Sequence, residues 1–197
     1  TRSTTVTGVQ TCALPISKKS EIFGANKCDI ELAESSNLPS PLISRLKFDE
    51  EKLKACLKGI DNLLELEDPV GKILLKRQLD DGLTLEQITC PIGVIGVIFE
   101  SRPDALVQIS TLCIKSGNAA VLKGGSEAAA TNRILFDIIY EAGISAGLPE
   151  NFMLLIESRS DIGEILKLHD CIDLIIPRGS NEFVQHIMQL PDRKSVV

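Results

Sequence analysis

No stretch of this 197-residue chain approaches the roughly 18 consecutive apolar residues that a membrane-spanning helix needs. The best run, Ile92 to Phe99, is eight long and contains two glycines, so no membrane partner is expected. The N-terminus also lacks the charged-then-apolar layout of a secretory signal. Positive charge is not in excess: 21 Lys and Arg against 27 Asp and Glu leave −6, which disfavours nucleic acid or an anionic membrane surface as partner. Six cysteines, at 12, 28, 56, 90, 113 and 171, include no C-x-x-C pair, so neither a zinc site nor a dithiol redox motif is supported. Scattered in this way they read as reduced, cytoplasmic thiols, and Cys113, in an apolar helical pattern with Leu106, Ile109 and Leu112, as a small buried hydrophobe. His169 and His186 have no partner at ligand spacing, and no metal site is expected.

What is present is the composition of a globular domain, 44% hydrophobic and 24% charged, in a length that suits one domain or one and a half. The two ends stand apart. Residues 1–17 have no clear periodicity, and VTGVQTCALPI resembles a translated sequencing-library adapter. Ala13-Leu14-Pro15-Ile16 can be encoded as GCT CTT CCG ATC, whose reverse complement, GAT CGG AAG AGC, reads Asp192-Arg193-Lys194-Ser195. Residues 1–17 and 192–197 are therefore expected to be adapter-derived, with the genuine segment cut from a longer protein.

Residues 18–90 read as a mainly helical segment. Glu21 to Ser35 forms a first helix. Asp49 is placed to cap the next, with Glu50 and Glu51 in its first turn and a stripe of Leu53, Leu57, Ile60 and Leu64. Pro69 and Gly71 end it, Asp80-Asp81-Gly82 marks a turn, and LTLEQITC is a candidate short strand. From Pro91 the rhythm changes. The continuous apolar run to Phe99 has the signature of a strand covered on both faces. Helices over 104–115, 126–146, 161–168 and 181–190 then alternate with strands over 119–122, 152–156 and 172–176. Four such alternations predict an α/β fold, a Rossmann-like parallel sheet with helices on both faces, over 91–191.

Ligands of open parallel sheets bind beyond the carboxyl ends of the strands. Three of those ends are polar: Glu100-Ser101-Arg102-Pro103, then Lys123-Gly124-Gly125-Ser126-Glu127, then Pro177-Arg178-Gly179-Ser180-Asn181. Each precedes a helix, whose free N–H groups and dipole favour anions, and Gly124, Gly125 and Gly179 leave the backbone bare. Neither G-x-G-x-x-G nor G-x-x-x-x-G-K-[ST] occurs at these turns. Position alone therefore points to a phosphate-bearing ligand, a nucleotide, without saying which.

PIGVIGVIFESRPDALVQ, LCIKSGNAAVLKGGSEAAATN and IDLIIPRGSN resemble the cofactor domain of the gamma-glutamyl phosphate reductases (glutamate-5-semialdehyde dehydrogenases) of the aldehyde dehydrogenase superfamily. DPVGKILLKRQLDDGLTLEQI and AGLPENF extend the likeness over nearly all of 18–190. ESRPDALVQI and IPRGSN are especially similar to the reductase half of pyrroline-5-carboxylate synthase. The resemblance implies NADPH-dependent reduction of L-glutamate 5-phosphate to glutamate 5-semialdehyde and phosphate in proline biosynthesis. A glutamate 5-kinase is then the neighbouring activity, and the complete enzyme a homo-oligomer. An acyl phosphate suits this chemistry because it carries a leaving group that a free carboxylate lacks. In the family a cysteine thiolate displaces the phosphate, and the resulting thioester is reduced.

By the same resemblance Lys123 grips the adenosine ribose or its 2′-phosphate, and Glu127 a ribose hydroxyl. Gly124, Gly125 and Ser126 complete that turn, and Gly179 and Ser180, with Arg178 beside them, face the cofactor pyrophosphate. Glu100, Ser101, Arg102 and Pro103 line the active site, Arg102 as a candidate for a substrate phosphate or carboxylate. This turn lacks the asparagine that helps form the superfamily's oxyanion hole. The family's nucleophilic cysteine lies in a later catalytic domain, and none of the six here matches its motif, so no catalytic residue is assigned and the chain alone is expected to be inactive. Two alternatives stay open: a stand-alone nucleotide-binding module, and an ordinary NAD(P)-dependent aldehyde dehydrogenase.

Overall fold

The computed structural model describes residues 18–157, 163, 168 and 170–189. Three helices come first: α1 (Lys19–Ser35), α2 (Ser40–Leu46) and α3 (Glu50–Glu65). Asp49 caps α3 as its sequence indicates, accepting the Lys52 N–H at 3.0 Å, with Glu50 and Glu51 in the first turn. Its stripe buries Leu53 and Cys56 and rests Leu57 and Ile60 against the core. The short α2 was not expected from the sequence.

Residues 73–88 are not part of the helical segment. They form an antiparallel ribbon of β1 (Ile73–Asp80) and β2 (Leu83–Ile88), joined through Asp81 and Gly82. Gly82 has φ 77°, a left-handed conformation that glycine supplies at the turn without steric cost. Every residue of both strands is exposed, including Ile73, Leu74, Leu79, Leu83 and Ile88.

The remaining strands make one parallel sheet: β3 (Val94–Phe99), β4 (Ala119–Lys123), β5 (Met153–Ile156) and β6 (Leu174–Arg178), in the order β5-β4-β3-β6. Helix α4 (Pro103–Lys115) follows β3, α5 (Ala129–Ser145) follows β4 after a single 3-10 turn at Ser126–Ala128, and α6 (Asn181–Gln189) follows β6. The helix expected over 161–168 falls mostly outside the described residues, as do both segments expected to be adapter-derived.

Alternation along β3 explains the layers. Ile95, Val97 and Phe99 join a large cluster with Leu106 of α4 and Leu135 and Ile139 of α5. Ile98, from the opposite pleat, packs with Ile175 and with Ile187 of α6. Helices thus cover both faces of the sheet, as predicted, and α1 and α3 add an outer layer over α5 and α4. The chain starts at β3, winds outward to β4 and β5, then returns to β6 on the other side of β3. Strand order reverses between β3 and β6, which is where open α/β sheets bind their ligands.

Candidate active site

The three polar turns reach one rim because their strands end level. Ile98 lies opposite Lys123 and Phe99 opposite Arg178, so Glu100, Gly124 and Gly179 follow at adjacent strand ends. Between them is a cavity of about 220 Å³, walled by Phe99 and Glu100, by the whole turn from Lys123 to Glu127, and by Phe183 of α6. A larger cavity, about 370 Å³, lies where Asn118 and Phe152 enter β4 and β5, the amino edge of the sheet. The rule for open sheets favours the smaller one at the carboxyl edge.

Lys123 is only 6% exposed, and its ammonium donates to the carbonyl oxygen of Gly124 at 2.9 Å. Two carboxylates tie the turns together. Glu127 Oε1 accepts both the N–H and the Oγ–H of Ser101, at 2.8 and 2.5 Å. Glu100 Oε2 accepts the N–H of Ser180 at 2.9 Å, while Ser180 Oγ accepts the N–H of Phe183 and so caps α6. Ser101 adopts φ 40°, rare for a residue with a side chain, and is buried.

The bare backbone at the glycines admits the protein's own side chains. A Cβ on Gly124 would strike the Asn132 amide, and one on Gly125 the Glu127 carboxylate. One on Gly179 would lie 2.5 Å from Glu100 Oε2. The expectation of free helix N-termini also needs correction for α5. Asp29 of α1 accepts the N–H of Ala130 at 3.1 Å and, through its other oxygen, the N–H and Oγ–H of Thr131 at 2.8 and 2.6 Å. The positive end of α5 is thus already matched by a carboxylate from another helix.

Arg102 is exposed at the start of α4, and Pro103 is buried in its first turn. Arg178 turns its guanidinium to Gln108 of α4, at 3.4 Å, and neither arginine side chain walls the cavity. Sequence reasoning overlooked Phe183, which walls the cavity, and Asn132, whose buried Oδ1 has no hydrogen-bond partner. Nothing in the sequence singles Asn132 out, since the same helix also carries Thr131, Arg133, Asp137 and Glu141. None of the described cysteines walls the cavity. Cys56 and Cys113 are buried, and desolvation pushes both thiols up to about 11, with Asp104 adding to the effect at Cys56. Among the described residues no cluster of three His, Cys, Asp or Glu is arranged to hold a metal, and no helix is long and apolar enough to cross a membrane.

Residues 64–197, well over half of the chain, match the model of the aldehyde dehydrogenase family. The chain belongs to that family. A gamma-glutamyl phosphate reductase from Pelotomaculum thermopropionicum is 63% identical over 170 residues, covering 86% of this chain and 39% of that protein. Among solved structures, the gamma-glutamyl phosphate reductase of Saccharomyces cerevisiae superposes with a TM-score of 0.86 at 41% identity, over 94% of this chain and 47% of that one. That of Thermotoga maritima gives 0.91 at 29% identity, over 99% and 47%. The chain therefore spans about two fifths of the curated relative and just under half of each of these two solved chains. Members of the aldehyde dehydrogenase family use NAD(P).

Proposed function

We propose that this chain is the dinucleotide-binding part of a gamma-glutamyl phosphate reductase, which reduces L-glutamate 5-phosphate to glutamate 5-semialdehyde and phosphate with NADPH. The observation that supports the reading is a cavity walled by the first two polar turns, buried Lys123 included, and by Phe183 of α6, with the third turn tied to it through the Glu100–Ser180 bond beside the strand-order reversal. At about 220 Å³ the cavity is below the ~300–1,000 Å³ of pockets that enclose a whole ligand. It suits one end of a dinucleotide, a ribose with its phosphate.

The residues present fit that group. Lys123 would take the ribose or its 2′-phosphate, with Gly124, Gly125 and Ser126 forming the wall beneath and Glu127 facing a ribose hydroxyl. Gly179 and Ser180 would lie along the pyrophosphate with Arg178 beside them, once Glu100 releases the Ser180 N–H. Glu100, Ser101, Arg102 and Pro103 would border the substrate, Arg102 offering a cation to its phosphate or carboxylate. NADPH, when bound, supplies the two electrons as hydride that convert an activated acyl group to an aldehyde. Lys123 is the reason to favour NADPH over NADH. The exposed apolar ribbon β1–β2 supports association of copies in the complete enzyme.

A full-length chimera, with this segment replacing the matching 170 residues of the Pelotomaculum reductase, tests the reading. It should reduce NADP only when glutamate 5-semialdehyde and phosphate are both supplied, the reverse of the proposed reaction. Equal activity on simple aldehydes without phosphate would point instead to an ordinary aldehyde dehydrogenase.

A further inference from the structure

We propose that Ser101 is a positioning residue for cofactor choice: by anchoring Glu127 it keeps a carboxylate out of the space that a 2′-phosphate needs. The proposal rests on the dinucleotide reading above. Ser101 is 3% exposed, and both of its donors go to the same oxygen, Glu127 Oε1. Its φ of 40° is a conformation that persists only where the surroundings enforce it. Here it brings the backbone N–H and the hydroxyl to one acceptor.

The consequence lies in the cavity. Glu127 and Lys123 wall the same space, one anionic and one cationic. A carboxylate close to the adenosine ribose accepts hydrogen bonds from a free 2′-hydroxyl and so favours NADH, but it repels the 2′-phosphate of NADPH. Held by Ser101, Glu127 Oε1 rests over Gly125, where no side chain could coexist with it. Without the hydroxyl of Ser101 only its backbone N–H still holds the carboxylate at the cavity wall, so Glu127 gains freedom to reach further toward the ribose, and the preference shifts toward NADH.

The test measures Kd for NADPH and NADH on the full chain by nicotinamide fluorescence. Ser101→Gly accepts the positive φ and retains the backbone donor, so it removes only the hydroxyl bond. The ratio Kd(NADH)/Kd(NADPH) is expected to fall about fivefold or more, the scale of one hydrogen bond to a charged group. Adding Glu127→Gln should restore it to within about twofold, since a neutral amide does not repel the phosphate. An unchanged ratio, an equal loss for both nucleotides, or no recovery in the double variant overturns the proposal and leaves the dinucleotide reading standing. If the unmodified chain binds neither nucleotide, that reading falls and the proposal with it.

Discussion

Glu100 Oε2 accepts the N–H of Ser180 at 2.9 Å, a bond from the end of β3 to the first turn of α6 across the reversal in strand order. The donor is one that the start of a helix leaves without an intrahelical partner, and an anionic ligand would compete for it. Glu100 also puts a negative charge into the cavity wall. Glu100→Gln keeps an acceptor and removes the charge. NADPH affinity is expected to rise about threefold or more at low salt, while the helix loses about 0.3–1 kcal/mol of dipole stabilisation. Titration and thermal melting of the same variant check both; weaker NADPH binding would make Glu100 a support of the ligand rather than its competitor.

Lys123 is buried at the cavity, and its ammonium already has the Gly124 carbonyl as one acceptor. A hydrogen bond from a charged group contributes about 1.5–3 kcal/mol, so Lys123→Ala should raise Kd for NADPH at least roughly tenfold. The loss should be smaller for NADH, which has no 2′-phosphate to meet the ammonium. Equal affinities of variant and parent for NADPH would remove Lys123 from the cofactor site.

The sheet was legible in the sequence where local and global demands agree. Ile95, Val97 and Ile98 are branched, apolar and buried on alternate faces, so the run around them reads as a central strand. Asp49 announces α3 because its capping bond reaches only three residues. The ribbon was half hidden: Asp80-Asp81-Gly82 gave its turn, but ILLKRQL is rich in good helix formers and becomes a strand through pairing with Leu83–Ile88. That the three turns share one edge of the sheet was legible, but their bonding to one another was not. Nothing near Ser126 or Gly179 tells that Glu127 serves Ser101 or that Glu100 serves Ser180, since those bonds span 26 and 80 residues.

Asp29 illustrates the same gap and makes a stability prediction. No side chain of its own turn caps α5; that role falls to Asp29, about a hundred residues away and 3% exposed. Its neighbour Asn26 bonds to Thr131 Oγ1 as well, and to the backbone of Leu46 and Phe48. Asp29→Ala would strand buried donors on Ala130 and Thr131, at a cost of about 2–4 kcal/mol. The denaturation midpoint should fall accordingly. A change under about 0.5 kcal/mol, the range of ordinary surface substitutions, would show that water replaces the carboxylate.

The thiols give a pH dependence whose sign follows from burial. Cys56 and Cys113 titrate near 11 in the folded chain because desolvation disfavours the thiolate, whereas an unfolded cysteine titrates near ~8.5. The folded state therefore binds the thiol protons more tightly. The resulting stability is fully present below the unfolded pKa and is lost as pH rises toward and through 11. Chemical denaturation should show stability falling by up to about 1.4 kcal/mol per pH unit for each buried thiol between roughly pH 9 and 11. Cys113→Ala should reduce that slope by about half. The same protonation makes both thiols poor nucleophiles at neutral pH. Iodoacetamide at pH 8 is expected to modify exposed Cys28, Cys90 and Cys171 and to spare Cys56 and Cys113 until denaturant is added. Mass spectrometry of the alkylated peptides reads the outcome directly: native-state modification of Cys113 at the rate of Cys90 would mean that its helix opens readily, and the slope above pH 9 should then be absent too.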